Sequence, residues 1–186
     1  NNLFIADEGK EIQVTNDENS GIVNGQIVHR NEFGIFKGTF WSPDGNYLAY
    51  YHKDETMVSD YPIVNIDTRI AEVESTKYPM AGMTSEQVTL VIYRISDGNK
   101  VTIKTGEPVD QYLTSVTWGP DEKNIYIGIL NRGQNHLKLI KFDIATGDPV
   151  QTLFEEKNDK YVEPEHPLYF LPAVPDQFIW YSERCW

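Results

Sequence analysis

Two hairpins of the same design, 77 positions apart, constrain this chain more than any other feature. The first runs Gly38-Thr39-Phe40-Trp41-Ser42-Pro43-Asp44-Gly45-Asn46-Tyr47-Leu48-Ala49-Tyr50. Phe40 and Trp41 end one predicted strand, and Tyr47 to Tyr50 form the next from aromatic and small apolar residues. Between them every residue suits a turn. Pro43 pre-sets φ near −65°, Asp44 can bond its own backbone, and Gly45 tolerates positive φ. The second hairpin, Thr117-Trp118-Gly119-Pro120-Asp121-Glu122-Lys123-Asn124-Ile125-Tyr126-Ile127-Gly128, repeats the pattern. A repeated strand–turn–strand unit points to a repeat architecture.

Hairpins of a second kind alternate with these. Leu3-Phe4-Ile5-Ala6 leads through Asp7-Glu8-Gly9-Lys10 to Glu11-Ile12-Gln13-Val14-Thr15. The same unit recurs from Val88 to Thr105, turning at Ser96-Asp97-Gly98-Asn99, and from Leu137 to Phe154, turning at Ala145-Thr146-Gly147-Asp148. One hairpin of each kind makes a four-stranded antiparallel blade. The expected fold is all-β, a partial β-propeller of two to three such blades. A half blade is expected at 1–15, a blade at 36–106, a compact blade at 112–155 and a partial blade at 167–186. Because a closed propeller needs at least about four blades, an open arc is expected. The strand-like runs at Leu3–Ala6 and Glu183–Trp186 lead us to expect a piece of a longer chain. Two stretches, 16–35 and 52–86, break the rhythm, and insertions of such length are usually functional or mobile.

Composition narrows the chemistry. The formal net charge is −12, and Lys and Arg do not cluster. That argues against nucleic acid and anionic membrane surfaces, and leaves open a site for a cationic group. The single cysteine, Cys185, has no internal partner and reads as inert. No Gly-x-Ser-x-Gly elbow, P-loop or dinucleotide fingerprint is present. His29, His52, His136 and His166 share no metal spacing and read as structural or solvated. No metal or cofactor is implied. Glu155-Glu156-Lys157-Asn158-Asp159-Lys160 reads as a solvated loop between blades, and Trp41 as a core residue.

An ordered series of segments resembles the propeller domain of dipeptidyl peptidase IV, in the prolyl oligopeptidase family of serine peptidases. The series comprises Asn31-Glu32-Phe33, Phe40 to Tyr50, Lys77-Tyr78-Pro79-Met80-Ala81-Gly82 leading into Val88-Thr89-Leu90-Val91, and Leu130 to Asn135. Gly21-Ile22-Val23-Asn24-Gly25 and Asp54-Glu55-Thr56-Met57-Val58 resemble the bacterial, Bacteroides-like branch. The resemblance implies an eight-bladed propeller capping an α/β-hydrolase domain that holds the whole Ser–Asp–His triad and is missing here. It also implies a propeller segment whose paired glutamates grip the substrate's free amino terminus. The matching segment is His29-Arg30-Asn31-Glu32-Phe33. Only Glu32 is acidic, and Asn31 stands where the second glutamate is expected, so one glutamate suits a tripeptidyl as well as a dipeptidyl peptidase.

The candidate substrate-binding residues are therefore Glu32, Asn31, Arg30 and Tyr78, with Arg30 read as a partner for a nearby carboxylate. The expected function is that of a non-catalytic propeller fragment of a post-proline serine exopeptidase. It would gate the active site and bind the amino terminus. The resemblance further implies a peptide substrate with a free amino terminus, a periplasmic or extracellular location, and a possible homodimer of the parent. The competing reading is a non-catalytic periplasmic propeller scaffold or binding module.

Overall fold

A computed structural model describes residues 1–182. Fifteen strands follow in order: β1 (Phe4–Asp7), β2 (Lys10–Gln13), β3 (Ile22–Asn24), β4 (Thr39–Trp41), β5 (Tyr47–Asp54), β6 (Asp60–Asn65), β7 (Glu72–Lys77), β8 (Gln87–Arg94), β9 (Lys100–Thr102), β10 (Tyr112–Trp118), β11 (Asn124–Leu130), β12 (His136–Asp143), β13 (Pro149–Lys157), β14 (Tyr169–Leu171) and β15 (Val174–Ile179). Every pairing is antiparallel. The fold is all-β, arranged as part of a propeller. The segment expected to end at 186, with Cys185, extends beyond the described residues.

Two sheets form the body. One is the meander β10-β11-β12-β13. The other runs β5-β8-β9, and both β3 and β4 lie along the remaining edge of β5. They divide that edge between them: β4 pairs Leu48–Tyr50, and β3 pairs His52–Asp54. The first row of this sheet is thus a single strand position filled by two separate pieces of chain. Residues 16–35 were expected to break the rhythm of strands and to carry the candidate segment His29–Phe33; they also contribute β3. Three residues beside Gly21 and Gly25 are too few to show a strand's period in the sequence.

The alternation of β5 explains its burial on both faces. Ala49 and Tyr51 face the meander and join Leu90, Ile92, Leu113, Trp118, Ile125, Ile127 and Phe142 in the largest core cluster. Leu48 and Tyr50 face the other way and pack with Val14, Val91 and Tyr93 against Leu3 and Ile5 of the β1–β2 hairpin. Fully buried aliphatic positions such as Leu113 and Ile127 contribute about 2–5 kcal/mol each against truncation to alanine. The two repeated turns are also stitched together. Glu122 Oε1 accepts the Asp44 N–H at 2.7 Å, Oε2 accepts the Asn46 amide at 2.8 Å, and Trp118 Nε1 donates to the Phe40 carbonyl at 2.9 Å.

Two expectations need correction. Trp41 is not a core residue: it is 51% exposed, whereas Trp118 is 8% exposed. Trp41 sits opposite Leu48, at the end of the sheet face that β1–β2 covers farther along. Glu155–Lys157 are not loop. They complete β13, and Glu156 is buried, accepting the Trp180 indole N–H at 2.9 Å. The long insertion contains its own two-stranded arm, β6–β7, which pairs with no other strand among the described residues.

Candidate functional site

The candidate residues sit on a loop that leaves the sheet and returns at almost the same point. Gly25 N–H donates to the Tyr51 carbonyl at 2.8 Å, and Tyr51 N–H donates to the Gly38 carbonyl at 3.0 Å. Both ends of the loop are therefore tied to one residue of β5. The neck is so narrow that a Cβ on Gly38 would lie 2.2 Å from the Gln26 carbonyl oxygen. Only glycine fits there. Val28 and Ile35 anchor the inside of the loop in the main core, being 1% and 3% exposed.

The tip is a left-handed turn. His29, Arg30 and Asn31 have φ of 51°, 55° and 66°, and Phe33 and Gly34 follow at 57° and 70°. Three consecutive non-glycine residues in this region are rare, because Cβ crowds the following carbonyl at about 1–2 kcal/mol per residue. Surrounding contacts must hold them. The Phe33 ring packs at a tilt against Tyr112, with centroids 4.8 Å apart, and its carbonyl accepts the Thr114 hydroxyl. A register irregularity in β10 falls between Thr114 and Thr117, next to this contact. Gly34 lies against the Glu165 backbone so closely that a Cβ would come within 2.1 Å of the carbonyl oxygen.

Charge is distributed unevenly over the tip. His29 is buried; its Nδ1 lies 3.5 Å from Glu86 Oε1, while Nε2 is buried without a hydrogen-bond partner among the described residues. The ring meets Tyr112 edge-on at 5.0 Å. The hydrogen bond from His29 holds the Glu86 carboxyl down at about 2 against the opposing effect of its burial. Arg30 is exposed, and its guanidinium lies 4.0 Å over the Tyr78 ring. This corrects the expectation of a carboxylate partner: the cation is met by an aromatic face. Asn31 and Glu32 are both exposed, and among the described residues the Glu32 carboxylate has no ion pair or side-chain hydrogen bond.

The structure thus brings the four candidate residues into one neighbourhood. Arg30, Asn31 and Glu32 form the tip, and Tyr78 reaches it from the insertion. It adds four that sequence reasoning did not single out as site residues: His29, Glu86, Tyr112 and Arg132. Arg132 belongs to the β11–β12 turn, where Nη1 donates to the Tyr112 hydroxyl at 2.6 Å. These residues come from four separate stretches of chain, and no local motif links them. Beside the loop lies a cleft of about 550 Å³, lined by Gly34 to Lys37, Trp41, Ser115 to Trp118 and Glu165 to Leu168. A larger hollow of about 750 Å³ is lined by residues 156–158 and 160–166 with Tyr181 and Ser182, none of them in the loop. An exposed carboxylate on a held loop tip, with no ion pair among the described residues, is chemically suited to a ligand with an ammonium group.

Fold and loop together define an all-β propeller segment whose β3–β4 loop is tied at its neck and packed at its interior. Comparison with known proteins is more specific. The family description "Dipeptidyl peptidase IV (DPP IV) N-terminal region" matches residues 1–185, and the chain belongs to that family. It is similar to a Bacteroides ovatus chain assigned as a dipeptidyl aminopeptidase IV, with 49% identity and a TM-score of 0.89 over 98% of this chain and 26% of that one. Porphyromonas gingivalis dipeptidyl peptidase 4 matches at 28% identity and a TM-score of 0.87, over 100% of this chain and 27% of that one. A Podospora anserina protein assigned as dipeptidyl-aminopeptidase B is 29% identical over 95% of this chain and 21% of its own length. The chain therefore spans about a fifth of these curated relatives and about a quarter of the solved chains.

Proposed function

We propose that this chain is the amino-terminal β-propeller portion of a serine exopeptidase of the dipeptidyl peptidase IV type, cleaving after proline. In this reading the loop between β3 and β4 holds the substrate's free amino terminus. The observation that carries it is the exposed, unpaired Glu32 at the tip of a loop fixed at its neck, its interior and its flank. A carboxylate held this way attracts an ammonium group and sets the distance from the amino terminus to the scissile bond. Asn31 beside it offers a neutral amide oxygen in place of a second charge. The Ser–Asp–His triad belongs to a hydrolase domain of the same polypeptide, outside these 186 residues. This segment would also gate access to that domain. A periplasmic or extracellular location fits the reading. The parent is proposed to pair with a second copy through the β6–β7 arm, whose Ile63, Val64, Ile66, Ile70 and Val73 are all exposed.

The test compares the complete peptidase and its Glu32→Ala variant on a Gly-Pro chromogenic substrate and on an analogue lacking the amino group. The variant should lose roughly 2–4 kcal/mol in kcat/KM on the free-amine substrate, and little on the analogue. Equal kinetics of the two enzymes on both substrates would refute the assignment.

A further inference from the structure

Two adjacent residues of the loop tip are each held by the same piece of the insertion. His29 Nδ1 faces Glu86 Oε1 at 3.5 Å, and the Arg30 guanidinium covers Tyr78 at 4.0 Å. Tyr78 directly follows β7, and Glu86 directly precedes β8, so the two anchors sit at the two ends of the limb that carries the chain back to the sheet. Among the described residues, neither anchor pairs with Glu32. Both act on the residues just before it, within the left-handed turn that contains no glycine until Gly34. Among the described residues His29 Nε2 has no hydrogen-bond partner, so the polar contact that helps orient the ring is the one through Nδ1. The Tyr78 ring is supported in turn by Tyr61 of the arm, at 5.7 Å.

We propose that Glu86 and Tyr78 are positioning residues for the amino-terminus site: they hold His29 and Arg30 in the left-handed backbone that leaves Glu32 exposed at the tip. This rests on the reading of Glu32 given above. A strained turn persists only where its surroundings over-determine it. Releasing either anchor lets the turn relax toward ordinary backbone and moves Glu32 away from the position in which it meets an ammonium group. Both anchors are charge- or ring-specific. A glutamine at 86 keeps the shape but accepts a weaker hydrogen bond from His29. A leucine at 78 keeps an apolar side chain but removes the face on which Arg30 lies.

The experiment is a double-mutant cycle in the complete peptidase, with Glu86→Gln and Tyr78→Leu each made in wild type and in Glu32→Ala. Steady-state KM and kcat are read on a free-amine Gly-Pro chromogenic substrate. Each variant should raise KM about 10-fold in the wild-type background with kcat little changed, and raise it by less than about 2-fold when Glu32 is already absent. Tyr78→Leu alters an exposed ring and keeps the test open if Glu86→Gln fails to fold. Effects that are absent in wild type, or that add in full to Glu32→Ala, overturn the proposal. If Glu32→Ala itself has wild-type kinetics, the reading of Glu32 fails and takes this proposal with it.

Discussion

At the scale of single residues, the two tryptophans of the repeated hairpin illustrate how position in the repeat and position in the molecule diverge. Their local sequences are alike, and both end a strand before a Pro-Asp turn. Trp118 faces the neighbouring sheet, stacks on Tyr47 at 5.9 Å and donates its indole N–H to Phe40. Trp41 lies on the opposite face, where β1–β2 does not reach it, and stays half exposed. Trp118→Ala should therefore destabilise the chain by about 3–5 kcal/mol, and Trp41→Ala by no more than about 1 kcal/mol. Urea unfolding of the two variants measures both losses; equal losses would mean that the faces have been assigned wrongly. The turn chemistry of Pro43, Asp44 and Gly45 was legible in the sequence because it is local. Which side of the sheet a tryptophan faces depends on residues far away in the chain, and no spacing within the hairpin encodes it. Arg30 was misjudged for the same reason: Tyr78 lies 48 positions away.

At the scale of elements, the strands of the β10–β13 meander were readable because each is long, apolar at alternate positions and joined by a short turn. The loop between β3 and β4 was not. Its neck depends on two glycines meeting across Tyr51, and its tip on partners from β10 and the insertion. The His29–Glu86 contact gives this element a measurable electrostatic signature. Glu86 carries a carboxyl held at about 2, below its usual 4.5, first because His29 donates a hydrogen bond to it. A depressed carboxyl stabilises the folded chain above its unfolded value and loses that contribution as pH falls through the folded one. The contribution should be present above the ordinary carboxylate range and disappear towards pH 2. Urea midpoints of wild type and Glu86→Gln should differ most above pH 5 and converge near pH 2. A gap that does not change with pH would show that the carboxylate is not held by this contact. The β6–β7 arm belongs to the same scale. Its exposed apolar residues alternate poorly with polar ones, which hid the arm within an apparent interruption.

At the scale of the whole molecule, the sheets are joined by packing across the core and by the Glu122 clip between the repeated turns. The all-β repeat was legible as a whole because it is the sum of local hairpins. The site was legible only as a segment, because its shape arises where separate repeats meet. Two further outcomes belong here. These 186 residues alone should release no product from a Gly-Pro chromogenic substrate, and measurable turnover by the purified chain would contradict their assignment as the non-catalytic portion. If the complete peptidase pairs through the β6–β7 arm as proposed, replacing the exposed Ile63, Val64 and Val73 with charged residues should convert a dimer to a monomer in sedimentation velocity; an unchanged sedimentation coefficient would contradict that proposal. The central claim is that Glu32 receives the amino terminus, and the most direct measurement is a crystal structure of the complete peptidase with a bound free-amine peptide. The account predicts the peptide's ammonium nitrogen at roughly 2.7–3.2 Å from a Glu32 carboxylate oxygen. An ammonium bound by other groups, with Glu32 facing solvent, would contradict it.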